Sequence, residues 1–148
     1  MSDKSDNGRD PLSQTFLQSA RQLVEHNLEE VDAEREDFFT ALFLLQNGDV
    51  SGAIEEFRKA ARTSSAPFDS LSIVALGECQ RLRGKQGAAI REWKRIADDE
   101  DAPHAARYVA WLSLARVAEE REDEQLLARA NEALEEIPSP DIQQTSRD

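Results

Sequence analysis

Apolar residues recur along this chain at intervals of three and four, and the rhythm breaks at a few stop signals. Phe16, Leu17, Ala20, Leu23, Val24, Leu28 and Val31 form the first stripe, the spacing of one helical face. Asp10-Pro11 starts it, with a capping acid followed by Pro at the first helical position. Glu25 to Asp37 carries seven acids against one Arg and contains no breaker, so one long helix or two abutting helices both fit. Phe38 to Gln46 is densely apolar and stops at Asn47-Gly48. Asp49 or Ser51 can cap the next helix, which runs to about Arg62.

The same punctuation continues. Pro67 opens a helix with Leu71, Val74, Ala75 and Leu76 that stops near Arg83-Gly84. Another helix runs from Lys85 to about Ala97, and Asp98 to Asp101 is an acidic loop. Pro103 opens a helix through Trp111 and Leu114 to about Glu119. The last helix carries Leu126, Leu127, Ala130, Ala133, Leu134 and Ile137 on one face and ends at Pro138 and Pro140. Seven helices and no strand are predicted, with connections short enough to make neighbours antiparallel. Residues 1–10 read as a disordered tail and residues 138–148 as a polar tail.

Two of these helical hairpins are copies. Gly48-Asp49-Val50-Ser51-Gly52-Ala53-Ile54-Glu55-Glu56-Phe57-Arg58-Lys59 aligns with Gly84-Lys85-Gln86-Gly87-Ala88-Ala89-Ile90-Arg91-Glu92-Trp93-Lys94-Arg95, 36 residues on. Ala61 then meets Ala97, and Ala66-Pro67 meets Ala102-Pro103. A fixed period in this range marks a stacked repeat, in which each unit buries its apolar face against the next.

The repeat resembles the tetratricopeptide family, whose unit is two helices in 34 residues. The spacing is carried by Ala41, Leu44, Gly48, Ala53, Phe57 and Ala60, and again by Ile73, Leu76, Gly77, Gly84, Ala89, Trp93 and Ile96. Trp111, Leu114, Ala115 and Ala118 fit the first helix of a third copy. There Glu122-Asp123 stands in place of the turn Gly, and the second helix drifts by a residue. The period of 36 is two longer than the family's, and Asp37 stands where the first copy should have an aromatic.

The resemblance covers residues 34–137 and implies an all-α fold of antiparallel helical hairpins stacked as a short right-handed superhelix. One extra N-terminal helix, residues 11–32, precedes a repeat domain over residues 33–137. The expectation for this helix is that it caps the open end of the first hairpin, the alternative being that it zips with another chain into a homodimer. The resemblance also implies a concave inner face that holds a peptide or helix of another protein. By spacing, its inward positions are Arg35, Phe38, Leu42 and Gln46, then Val74, Glu78 and Arg81, then Leu112, Arg116 and Glu119. The Lys/Asn/Lys/Arg set with which some members clamp a C-terminal carboxylate is missing here, so that ligand is not carried over.

Composition narrows the partner. Net charge is −12, which repels phosphate and argues against nucleic acid and anionic membranes. Fourteen Arg stand against four Lys, an imbalance expected of either a salt-loving source or a GC-rich genome. The longest uninterrupted apolar run, Ala41 to Leu45, is far too short to cross a membrane. Residues 1–10 lack an apolar signal core, so a cytoplasmic location is expected.

Candidate chemistry is sparse. Cys79 is the only cysteine and sits mid-helix beside Gly77, as a packing residue would. His26 and His104 are far apart and at no metal-ligand spacing. Glu55, Glu56 and Glu92 fall at spacings that serve helix charge pairs such as Glu55–Lys59 and Glu92–Arg95. Gly84-Lys85-Gln86-Gly87 lacks the spacing of a phosphate loop. Neither catalysis nor a cofactor is expected. Arg81, Arg83, Lys85, Arg91, Lys94 and Arg95 face only Glu92 within residues 81–95, which makes either a docking patch for an acidic partner or a neighbour to the chain's own acid clusters. Phe38, Phe39 and Phe43 cannot share one helix face, so at least one meets the N-terminal helix or lines an apolar groove.

The sequence therefore predicts a non-catalytic adaptor or scaffold. Apolar contacts from Phe38 and Leu42 and charge selection by Glu78, Arg81 and Arg116 are expected at its groove. The alternatives are a self-associating structural protein and a non-catalytic regulatory subunit of an enzyme complex.

Overall fold

The structure, a computed structural model, describes residues 11–27 and 32–137. Every regular element among them is an α-helix: α1 (Pro11–Asn27), α2 (Asp32–Gln46), α3 (Val50–Thr63), α4 (Phe68–Leu82), α5 (Gln86–Ala97), α6 (His104–Arg121) and α7 (Glu124–Glu136). Of the acidic stretch, Glu25 falls in α1 and Asp32 to Asp37 in α2, while Glu29 and Glu30 lie outside the described residues. Leu28 and Val31, the last positions of the first apolar stripe, lie outside the described residues, as do the two tails.

Each helix from α2 to α7 packs on the next, and α4 also touches α2 and α6. The first helices of the three hairpins therefore form one layer, backed by α3, α5 and α7. Three turns set this geometry with the same bonds. The amide of Asp49 donates to the carbonyl of Leu44, that of Lys85 to Gln80 and that of Asp123 to Ala118, each at 2.9 Å. The residue before each donor is left-handed: Gly48 at φ 86°, Gly84 at φ 82° and Glu122 at φ 58°. This six-to-one closure returns the chain on itself and leads into the second helix two residues later. Glu122 adopts the turn Gly's conformation without being Gly, which is why its turn looked irregular in the sequence.

Caps complete two of the turns. Asp49 accepts from the Gly52 amide at 2.9 Å, and Asp123 from the Leu126 amide at 3.2 Å. In the middle turn Lys85 offers no side-chain cap.

One continuous core runs from Phe16 in α1, through Phe57 and Trp93, to Ile137 after α7. Phe38 lies inside it, its ring edge-on to Phe57 at 5.7 Å and tilted against Phe68 at 5.9 Å. Trp93 donates its indole N–H to the carbonyl of Val74 at 2.9 Å. On α7 the fully buried residue is Ala130, with Leu127 and Leu134 partly buried and Asn131 exposed. Asn131 is at the offset from its turn that Phe57 and Trp93 have from theirs, so the third hairpin has no aromatic filler. Arg129 instead lays its guanidinium over Trp111, 5.4 Å from the ring centroid, and pairs with Asp98 at 2.7 Å.

Helix α1 lies across the first helices. It touches α6 as well as α2 and α4, so it spans all three hairpins and does not cover only the open end of the first. The physical reason is burial: Phe16, Leu17 and Ala20 all leave water against the body in this position.

Candidate functional site

The seat of α1 is built from polar and apolar parts in order along the helix. Ser13, in the first turn, is buried. Its hydroxyl donates to Oε2 of Glu78, which is 1% exposed. Arg81, one turn on along α4, holds the same carboxylate with two bonds, Nε to Oε1 at 3.1 Å and Nη2 to Oε2 at 2.8 Å. Nη2 also donates to the Ser13 hydroxyl at 3.3 Å. A buried carboxylate is tolerated only when its oxygens are satisfied this fully.

Phe16 follows, beside a cavity of about 10 Å3 bounded by Arg81, Leu112 and Arg116. That is barely the room of one water, so α1 fits its seat closely. Beyond Ala20, Arg21 donates to Oε1 of Gln46 at 3.0 Å, and its guanidinium carbon stands 5.8 Å from the centre of the Phe39 ring. The contacts thus run from α4 and α6 at one end of α1 to α2 at the other.

The residues expected to line a partner groove divide into three groups. Gln46, Glu78, Arg81, Leu112 and Arg116 border α1. Phe38, Leu42 and Val74 are fully buried. Arg35 is partly buried on α2, and Glu119 is exposed and accepts from Arg116 at 3.4 Å. Charge selection was expected of Glu78, Arg81 and Arg116, but Glu78 and Arg81 are engaged with each other and with Ser13 beneath α1. Arg116 is exposed at the rim, as is its ion-pair partner Glu119.

Sequence reasoning found one half of this arrangement and missed the other. The apolar stripe on α1 was visible, but Ser13 stands in a polar frame, Leu-Ser-Gln-Thr, that carries no burial signal. The three phenylalanines resolve into the core (Phe38), the α1 contact (Phe39) and solvent (Phe43, 60% exposed). Phe43 edges a shallow hollow with Arg21, Phe39 and Thr40.

Cys79 is buried, and its thiol is pushed up to about 12. Burial is the main cause and the adjacent Glu78 charge adds to it, while Arg83 acts in the opposite direction. Such a thiol stays protonated at neutral pH and is a poor nucleophile. Among the described residues, no group of three His, Cys, Asp or Glu is placed to hold a metal ion, and no helix is long and apolar enough to cross a membrane. Comparison with protein-family models, curated proteins and solved structures gives no match for the chain.

Proposed function

We propose that this chain is a non-catalytic interaction module of tetratricopeptide-like hairpins, and that the face made by α2, α4 and α6 receives an amphipathic helix of a partner protein. One observation carries the reading: a helix already occupies that face, and it is the chain's own α1. Phe16, Leu17 and Ala20 present apolar anchors at helical spacing, with Ser13 and Arg21 as polar contacts at either end. This is helix-in-groove recognition, performed in cis.

A partner helix then competes with α1. Its apparent affinity is reduced by the fraction of molecules in which α1 is seated, so α1 acts as a gate. The second reading is self-association, in which α1 of one copy sits on the face of another.

The test uses the chain's own helix as the probe. A full-length variant carrying Phe16→Asp and Leu17→Asp should unseat α1 and bind a labelled peptide of residues 11–27 added in trans. The native chain should bind it about ten-fold more weakly, because its face is filled. Binding by neither protein would remove the face as a helix receptor. Light scattering of the native chain distinguishes a gated monomer from an exchanged dimer.

A further inference from the structure

A second concavity lies on the other side of the molecule, between α3, α4 and α5. It has a volume of about 240 Å3, and Arg58, Arg83, Lys85 and Arg95 stand around it. Ile54, Ile73 and Leu76, all partly buried, contribute its apolar lining. Leu76 and Arg83 are each two residues from the pair that meets α1, Glu78 and Arg81. Two residues turn a helix by roughly 200°, so the pocket opens on the face of α4 opposite the α1 seat.

The charges here run against the rest of the chain. Four cations meet one carboxylate, Glu92, on a protein of net charge −12. Glu92 is taken by Arg95 at 2.9 Å, and Arg83 donates to the Ser51 hydroxyl. Among the described residues, Arg58 and Lys85 have no ion-pair partner, and both are exposed. The turn between α4 and α5 and the helices on either side of α4 bring these cations together. Arg83 and Lys85 flank the left-handed Gly84, while Arg58 and Arg95 come from the later turns of α3 and α5.

We infer that this pocket binds a short acidic peptide segment of a partner protein, with one large apolar side chain on Ile54, Ile73 and Leu76 and flanking carboxylates on Arg58 and Lys85. Charge complementarity selects the peptide: cations gathered around an apolar lining match carboxylates that flank an apolar residue. A nucleic acid would also bring phosphates to the cations, but it would meet the field of −12 with a charge on every nucleotide, where a short peptide carries only a few carboxylates. The inference does not depend on the α1 face, since the two surfaces share no residue.

The experiment is fluorescence anisotropy on the full chain with a labelled hexapeptide containing Leu between two acidic pairs. Binding should weaken about ten-fold in the Arg58→Ala/Lys85→Ala variant, whose exposed changes leave helicity intact, and should fall steeply with salt. Changing the peptide Leu to Ser should weaken it as well, which separates an apolar-anchored peptide from generic anion attraction. Equal binding by the double variant, or by a peptide with Lys in place of every acid, would overturn the inference. So would a single-stranded oligonucleotide that bound the same residues more tightly than the peptide. The Phe16→Asp/Leu17→Asp variant should bind the hexapeptide as the native chain does, so failure of the α1 reading and failure of this one remain distinguishable.

Discussion

A Cβ placed on Gly77 would lie 2.4 Å from the indole nitrogen of Trp93. The missing side chain on α4 is therefore what lets the α5 tryptophan close on the helix and donate to Val74. Gly77→Ala should lower stability by about 1–3 kcal/mol through overpacking. Truncating the indole in the same chain, as Trp93→Leu, should recover part of that loss, and a double-mutant cycle by denaturant unfolding reads the coupling. Simple additivity would mean that the two residues do not oppose one another.

The three equivalent turns give a prediction of opposite signs. Glu122 is left-handed at φ 58° and is not glycine, a conformation that disfavours a Cβ by roughly 1–2 kcal/mol. Glu122→Gly should raise the melting temperature. Gly84→Ala, at φ 82° with nothing within 4 Å of the added carbon, should lower it through backbone strain alone. Shifts of the same sign in both variants would show that the turns are not equivalent.

Legibility in the sequence followed how local the cause is. Helix starts and stops were readable because Asp49, Gly48, Gly84 and Pro103 act within a turn of themselves. The copied segment placed Ala53 with Ala89 and Phe57 with Trp93, and all four are fully buried. The turn at Glu122 was recognised as a departure, but its left-handed geometry was not, because nothing in Glu-Asp announces it. The position of α1 was the larger miss. A helix with one apolar face needs a cover, but its sequence does not say which of several exposed strips supplies it, and the deciding contacts, Ser13 with Glu78 and Arg21 with Gln46, join residues 65 and 25 apart. Phe38 shows the same limit from the other side, since helical spacing alone cannot tell the inner wall of a groove from the inside of a hairpin.

Glu78 and Arg81 form a buried unit, and breaking it from one side should be worse than removing it. Arg81→Leu takes the guanidinium from a carboxylate with 1% exposure, a change expected to cost about 3–5 kcal/mol. Glu78→Leu/Arg81→Leu should cost less than either single change, measured by chemical denaturation. A double variant as damaged as the sum of the two would show that the pair is not mutually compensating.

Cys79 predicts an alkaline limit. Its folded thiol sits at about 12 against an ordinary value of 9.0. Between these values the unfolded chain releases the proton and the folded chain keeps it, so stability is fully present below about pH 9 and falls as pH rises toward 12. The slope from this one group approaches about 1.4 kcal/mol per pH unit. Cys79→Ala should flatten the decline relative to the native chain, and labelling of the native thiol at pH 8 should proceed only through unfolding. Rapid stoichiometric labelling of the folded protein would contradict the burial.

The last prediction concerns whether α1 moves as a unit. A gate must open at lower free energy than the domain unfolds, because the partner has to find the face empty while α2 to α7 stay folded. Amide exchange in the native chain should therefore release α1 before the central helices α4 and α5. Phe16→Ala removes the buried aromatic that α1 sets beside Leu112 and Arg116. That change should weaken the seating of α1 by about 3–5 kcal/mol at most. The α1 amides should then exchange faster still, while those of α5 around Trp93 keep their native protection. The readout separates two roles for the same helix. If α1 and α5 lose protection together, α1 is an inseparable layer of the core and the face beneath it is not offered to a partner. If α1 alone responds, the hydrogen bond from Ser13 to Glu78 and the contact of Arg21 with Gln46 are the latch that a competing helix must replace.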